Sequence, residues 1–471
     1  MSRLFRWTRL KQGWFVAGFI LCVMSPEAPA QARANEAITA ADNQTFQRAM
    51  QMLNQGDRAG AEPLLRDLHA RHPGNFEINE SLGLLYASAG DLKMATPLLR
   101  AAARENPASD VAHANLGTAL LKQGHAEDAA HELSLAATMN PSDAATEEAL
   151  GQAWMLLKQP ARAAAAFQAA LPRDGSNPTL LYNAALALFD AGKAGEAEPL
   201  LARMPGADDS AEAQSLAGDI EERLGHYEPA VEHDQRAVQL DPTEPNLYVL
   251  GAEFLRHWTF GAAQTEFQAG VRVFPHSQRM RMGLGVAYYG AGKYDQAIPV
   301  FADLLAEYPE NSMYAELLGR TCTVLTEGEQ PRCAGLTTYA LHHPKDAILA
   351  TYAATAILHE PSDDGRLQQA RQLLQSAIQA DPRLPEARYG MGLLLQTESQ
   401  WRQSIPELEA AIRLRPAYAS AHYRLALALS HVGQHERAQA EIQLEQKYNQ
   451  QEHAMVDARL RQVTTFLVNM Q

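Results

Sequence analysis

Three cysteines and sixteen histidines are the side chains of this 471-residue sequence best suited to chemistry, and their spacing restricts what they can do. Cys322 and Cys333 lie eleven positions apart. They can close a disulfide or stay as two buried thiols, but no C-x-x-C pair is present for redox catalysis. His342 and His343 are adjacent, and His431 and His435 have the i, i+4 spacing that would put both rings on one helical face. A metal centre needs more ligands than that. Neither pair is accompanied by H-E-x-x-H, by a carboxylate at ligand spacing or by a cysteine cluster, so no metal is expected. A G-x-S-x-G elbow, a phosphate-binding glycine loop and a C-x-x-C-H haem motif are also absent, and no cofactor is expected.

The elements that carry these residues follow from a period. In Ser277 to Pro309, the apolar residues Leu284, Ala287 and Tyr288, then Ala297, Phe301, Leu304 and Leu305, fall at i, i+3, i+4 spacing. The run breaks at Gly290-Ala-Gly292, where glycine permits a reversal, and Pro309 stops the second helix because proline lacks an N–H. The small residue at Gly285 recurs as Ala49, Gly83, Gly117, Gly151, Ala185, Gly218, Gly251, Gly319, Ala354, Gly392 and Ala426, nearly always 33 to 35 positions apart. A second-helix alanine recurs in phase at positions such as Ala61, Ala95, Ala129 and Ala263, and closing prolines at Pro73, Pro107, Pro275 and Pro416. Two short amphipathic helices cannot bury both apolar faces alone, so the copies must stack.

Leu284-Gly285-x-x-Tyr288, Ala297-x-x-x-Phe301 and Pro309 resemble the tetratricopeptide repeat, lacking only its leading aromatic, where Arg281 stands. The resemblance implies an all-α, right-handed α-solenoid of about twelve tandem helix-turn-helix repeats. They would span residues 42–450 and leave no room for a catalytic domain, so the chain is not expected to be an enzyme. Gly285 and Ala297 are expected at the closest approach of the two helices. Cys322 takes the place of Tyr288 and Cys333 lies near that of Ala297, on facing sides of one hairpin, which makes a disulfide geometrically feasible. Prolines two residues after the key alanine or its equivalent (Pro63, Pro97, Pro199, Pro299, Pro406) are expected near the first turn of the second helix. Shifted closing prolines around Leu171 to Pro178 and Met204 to Asp209 suggest short or frayed second helices. The extra residues between Ala354 and Ala370, through His359 to Arg366, suggest a longer turn.

In this family the residues three before the key glycine, and one and four after it, line the concave side. Candidate partner-binding residues are therefore Tyr182, Tyr248, Leu255, Arg256, Met282, Tyr289, Tyr389 and Tyr423. Tyr248, Leu255, Arg256, Met282 and Tyr289 would form one patch. The family's clamp for acidic chaperone tails needs lysine, asparagine and arginine at these positions. Here only scattered equivalents occur, such as Asn115, Asn183, Arg223 and Arg256, so an apolar helix or extended peptide suits the groove better. A glycan, held by an accessory subunit of a carbohydrate-handling enzyme or exporter, is the alternative occupant.

Residues 1–30 read as a cleaved secretory leader: a basic start at Arg3, Arg6, Arg9 and Lys11, an apolar core from Trp14 to Met24, and Ala28-Pro29-Ala30 at cleavage spacing. The core is shorter than the ~20 residues that span a bilayer, so the mature chain is expected to have no membrane span. A linker at 31–41 would follow, and residues 451–471, with Val456, Leu460, Val463 and Leu467 on one face, would form a capping helix. Loss of the leader removes four basic residues and Glu27, taking the net charge from −15 to −18. Such a balance argues against nucleic acid or an anionic membrane surface as a partner. The expected whole is a periplasmic or secreted scaffold for a protein or peptide.

Overall fold

The computed structural model describes residues 38–324, 333–360 and 363–451. The leader, most of the 31–41 linker and the cap beyond 451 lie outside the described residues. All regular structure among the described residues is helical, and none of those helices is long and apolar enough to cross a membrane. The chain divides into two compact units, 1–226 and 227–471.

In the first unit the first helices of successive pairs are Ala40–Asn54, Phe76–Ser88, Asp110–Gln123, Ala144–Leu156, Pro178–Asp190 and Ala211–Leu224. They alternate with the second helices Arg58–Arg71, Leu92–Glu105, Ala126–Met139, Pro160–Asp174 and Ala194–Ala202. The second unit opens on a second helix, Tyr227–Leu240. Its first helices are Glu244–Arg256, Gln278–Gly290, Ser312–Thr323, Ala347–His359, Pro385–Thr397 and Ala419–His431. Their second helices are Phe260–Val273, Tyr294–Glu307, Ala334–His342, Asp364–Ala380, Trp401–Leu414 and the helical residues 435–451. Each of the twelve first helices contains one member of the glycine and alanine series, so the period read from the sequence is the period of the fold.

Short signals start and stop these helices. Two residues after a closing proline, a polar side chain caps the next first helix: Asn75 Oδ1 accepts from the Ile78 N–H at 3.0 Å and Ser277 Oγ from that of Met280 at 3.2 Å. Among the described residues, the reversal inside ten of the pairs uses a left-handed residue. Gly292 supplies it at φ +72°, whereas Lys158, Trp258 and Ser399 adopt φ of 57°, 58° and 62° at the matching place without glycine's freedom.

Packing explains the small residues. A methyl group added at Gly285 would stand 2.5 Å from Phe301 Cε1, and one at Gly151 2.6 Å from Phe167. Phe301, Phe167 and Ala297 are fully buried. The glycine thus lets the second-helix ring seat against the first-helix backbone, which fixes the separation of the pair. Where the family has its leading aromatic, several pairs of this chain carry a polar latch to the second helix. Arg281 pairs with Glu307 at 2.5 Å, Arg388 with Glu407 at 2.9 Å and His113 with Glu132 at 2.6 Å.

Three local expectations need correction. Pro160–Asp174 is a full fifteen residues and carries Pro172 within it, so only Ala194–Ala202, at nine residues, is short; a 3₁₀ turn, Ala207–Asp209, follows it. The extra residues before Ala370 do not merely lengthen a turn. Most enter the seventeen-residue helix Asp364–Ala380, which Asp363 caps through the Arg366 N–H at 2.9 Å, so that helix begins a turn earlier relative to Ala370. The prolines beside the key alanines lie in the second turn of their helices, as Pro63 does in Arg58–Arg71. Most face solvent, Pro63 and Pro97 among them, so the carbonyl four residues earlier meets water instead of an N–H.

Candidate functional site

The inner stripe of the first helices is built by the register just described, three positions before the key small residue and one and four after it. In the first unit, Tyr182 is 8% exposed and belongs to the core of the fifth pair. Asn115 Nδ2 donates to Glu80 Oε1 at 3.3 Å, and Arg223 lies over the Phe189 ring with 5.2 Å from Cζ to the centroid.

In the second unit the candidate residues are less deeply set. Tyr248 is half-buried; its ring meets Phe267 edge-on at 6.0 Å, and Arg279 of the next first helix stands 5.3 Å from its centroid. Leu255 packs beside Tyr248 on one hydrophobic cluster, while Met282 and Tyr289 pack on the next. The five residues of the expected patch are therefore divided between two packing clusters. Arg256 is exposed and ion-paired to Glu253 on its own helix. Tyr389 lies against Tyr418 with centroids 5.1 Å apart, and Tyr423 is 46% exposed.

Two further residues near Tyr289, namely Arg320 and Tyr352, escaped the sequence reading. Tyr289, Arg320 and Tyr352 come from three successive first helices. The Arg320 charge acts on both hydroxyls and is itself tied to Glu316 at 2.7 Å. Burial pushes the hydroxyl pKa of Tyr289 and Tyr352 above the usual range. It does so strongly for Tyr418, with Tyr389 adding to the effect. Arg320 stands one residue after Gly319, a place the repeat register already assigns to the inner stripe. The resulting surface offers aromatic faces, hydroxyl donors and paired charges, which can bind a segment but do not compose a nucleophile with its base.

The residues singled out for chemistry are committed to structure. Cys322 and Cys333 are buried at disulfide distance, with Cα atoms 6.4 Å apart, between Ser312–Thr323 and Ala334–His342. His343 stacks on Tyr339 with centroids 4.0 Å apart, and the Nδ1 atoms of His342 and His343 face carbonyls of their own helix. His431 stacks on Trp401 at 3.7 Å.

Comparison with known proteins gives the following. No curated protein matches the sequence. Among solved structures, pilF of Pseudomonas aeruginosa is 20% identical, with 43% of this chain and 92% of that chain covered and a TM-score of 0.35. A tetratricopeptide repeat protein from Parabacteroides merdae is 15% identical, covers 53% of this chain and 99% of its own, and has a TM-score of 0.36. YrrB, described as a TPR protein with an unusual peptide-binding site, is 18% identical over 40% of this chain and 97% of its own, with a TM-score of 0.37. The family description "Tetratricopeptide repeat" matches residues 46–110, 115–178, 181–245, 248–320 and 389–450. Matched over more than half of its length, and built of the same helix pairs throughout its described residues, the chain belongs to the tetratricopeptide repeat family.

Proposed function

We propose that this protein is an exported, non-catalytic scaffold that holds a protein or peptide segment against the inner stripe of its first helices, within an envelope or secretion assembly. The observation that carries the reading is the strip in the second unit formed by Tyr289, Arg320 and Tyr352. Half-buried rings at the edge of one hydrophobic cluster and an exposed guanidinium come from successive repeats there. Such a strip supplies apolar area and hydrogen-bond donors at low entropic cost to an incoming chain. Export is supported by the basic and apolar pattern of residues 1–30 and by a buried cysteine pair suited to an oxidising compartment. We assign the pair as a disulfide in the exported protein.

The test uses peptides selected from a random display library against the full chain. Tyr248→Ala with Tyr289→Ala should lower their affinity at least about tenfold while shifting the melting temperature little. Tyr182→Ala is the contrast. Set in the core, it should cost about 3–5 kcal/mol of stability. Normal binding by the Tyr248 and Tyr289 double variant, or a stability loss as large as that of Tyr182→Ala, would make those rings packing residues and refute the reading.

A further inference from the structure

Two glutamates on the inner stripe of the first unit lie in one register, 68 residues apart, each with an asparagine 35 positions further on. They are Glu80 with Asn115 and Glu148 with Asn183. Both glutamates are half-buried, and burial pushes their carboxyls up, Glu80 to about 6; Glu77 and Asp110 reinforce the shift at Glu80 and Asp174 that at Glu148. Several partly buried carboxylates facing a neighbouring helix meet a cation, as Glu244 does with Arg279 at 2.8 Å. Glu80 and Glu148 have no such partner among the described residues. Each accepts only from a neutral amide, Asn115 Nδ2 and Gln152 Nε2, both at 3.3 Å.

Asn183 adds an independent sign. It is 2% exposed, and neither its amide oxygen nor its amide nitrogen has a hydrogen-bond partner. A buried amide left in this state costs free energy, and native proteins rarely keep one without a use. Its register to Glu148 is that of Asn115 to Glu80. The second couple thus lacks a bond that the first one makes.

We propose that these two couples are paired subsites for two cationic side chains, arginine or lysine, of an extended partner segment lying along the first unit. The proposal rests on the scaffold reading and gives the partner a chemistry. A guanidinium entering each subsite restores the charge balance that burial removes, forming a charge-assisted hydrogen bond to the carboxylate. The excess of acid in the chain favours such a partner from a distance.

The test measures fluorescence polarisation of short extended peptides carrying two arginines at graded spacings, against the same peptides with neutral, nearly isosteric citrulline. The full chain should prefer arginine by about tenfold or more at one spacing, about 1.4 kcal/mol. Glu80→Gln with Glu148→Gln should abolish that preference, and each single substitution should reduce it, with circular dichroism unchanged. The exposed pair Asp128→Asn with Glu198→Gln should leave it intact, which separates the subsites from diffuse attraction by an acidic protein. Equal binding of arginine and citrulline peptides overturns the subsites while leaving the scaffold reading standing. So does a preference that survives the glutamine pair. Failure to bind either peptide overturns the subsites as well, and the tyrosine variants then decide the scaffold reading separately. Calcium binding removed by the glutamine pair, without any arginine preference, would replace the basic segment with a metal ion and equally overturn the proposal.

Discussion

Glu80 shows how a single side chain can be mounted against its own stability. Its carboxyl sits at about 6 in the folded chain instead of 4.5, chiefly through burial, with Glu77 and Asp110 adding like charge and Asn115 opposing the shift. A carboxyl whose pKa is raised on folding contributes stability below the unfolded value and loses it as pH rises through the folded value. The window here runs from about 4.5 to about 6. Glu80→Gln should therefore stabilise the protein at pH 7 by up to about 2 kcal/mol and leave it nearly unchanged at pH 4, which denaturant titration at the two pH values measures. A destabilised variant at pH 7 would mean that the carboxylate has a favourable partner when ionised. The sequence could not disclose this. It gave the position of Glu80 on the inner face, but dehydration depends on what the neighbouring helices bring around it.

Among the helix pairs, the ninth holds the cysteine pair at disulfide distance. A bond between Cys322 and Cys333 would tie Ser312–Thr323 to Ala334–His342, a nine-residue helix whose Leu336 shares a hydrophobic cluster with Leu318 of the first helix. A short helix gains little from its own hydrogen bonds, so closing the loop should add about 3 kcal/mol in the chain-entropy account. Alkylation of the denatured protein, produced in an oxidising compartment and not reduced, should label neither cysteine, and reduction should lower the unfolding midpoint. Full labelling without reductant would exclude the bond. The facing positions of the two cysteines were legible because each occupies a known place in the repeat. The polar latches were not. Arg281, Arg388 and His113 stand where an aromatic is expected, and their glutamates lie well along the second helix, outside any local pattern. The four-residue insertion was visible too, but whether it would join a loop or a helix depended on Asp363 acting as a cap.

At the scale of the whole molecule, the periodic small residues identified every first helix, because a helix pair can approach closely only where a side chain is missing. That dependence gives a prediction. Gly285→Leu would drive a side chain into Phe301 and should cost about 1–3 kcal/mol. In hydrogen exchange the lost protection should centre on Gln278–Gly290 and Tyr294–Glu307 and fade over the adjoining pairs. Uniform loss across residues 227–451 would instead indicate that the second unit unfolds as one cooperative body. The division between 226 and 227 was not legible, since the repeat period runs through it without a break.

Within each unit the main helix contacts join helices one or two places apart in the sequence. This pattern bears on time as well as on stability. A contact between near neighbours closes only a short loop, so little chain entropy has to be lost before the contact forms. A polypeptide emerging N-terminus first, from a ribosome or a pore, can complete each helix pair against the one before it without waiting for its distant end. Little apolar surface is then exposed at any moment, and the interval in which the chain is open to aggregation or proteolysis is set by the delivery of about one repeat and is independent of total length.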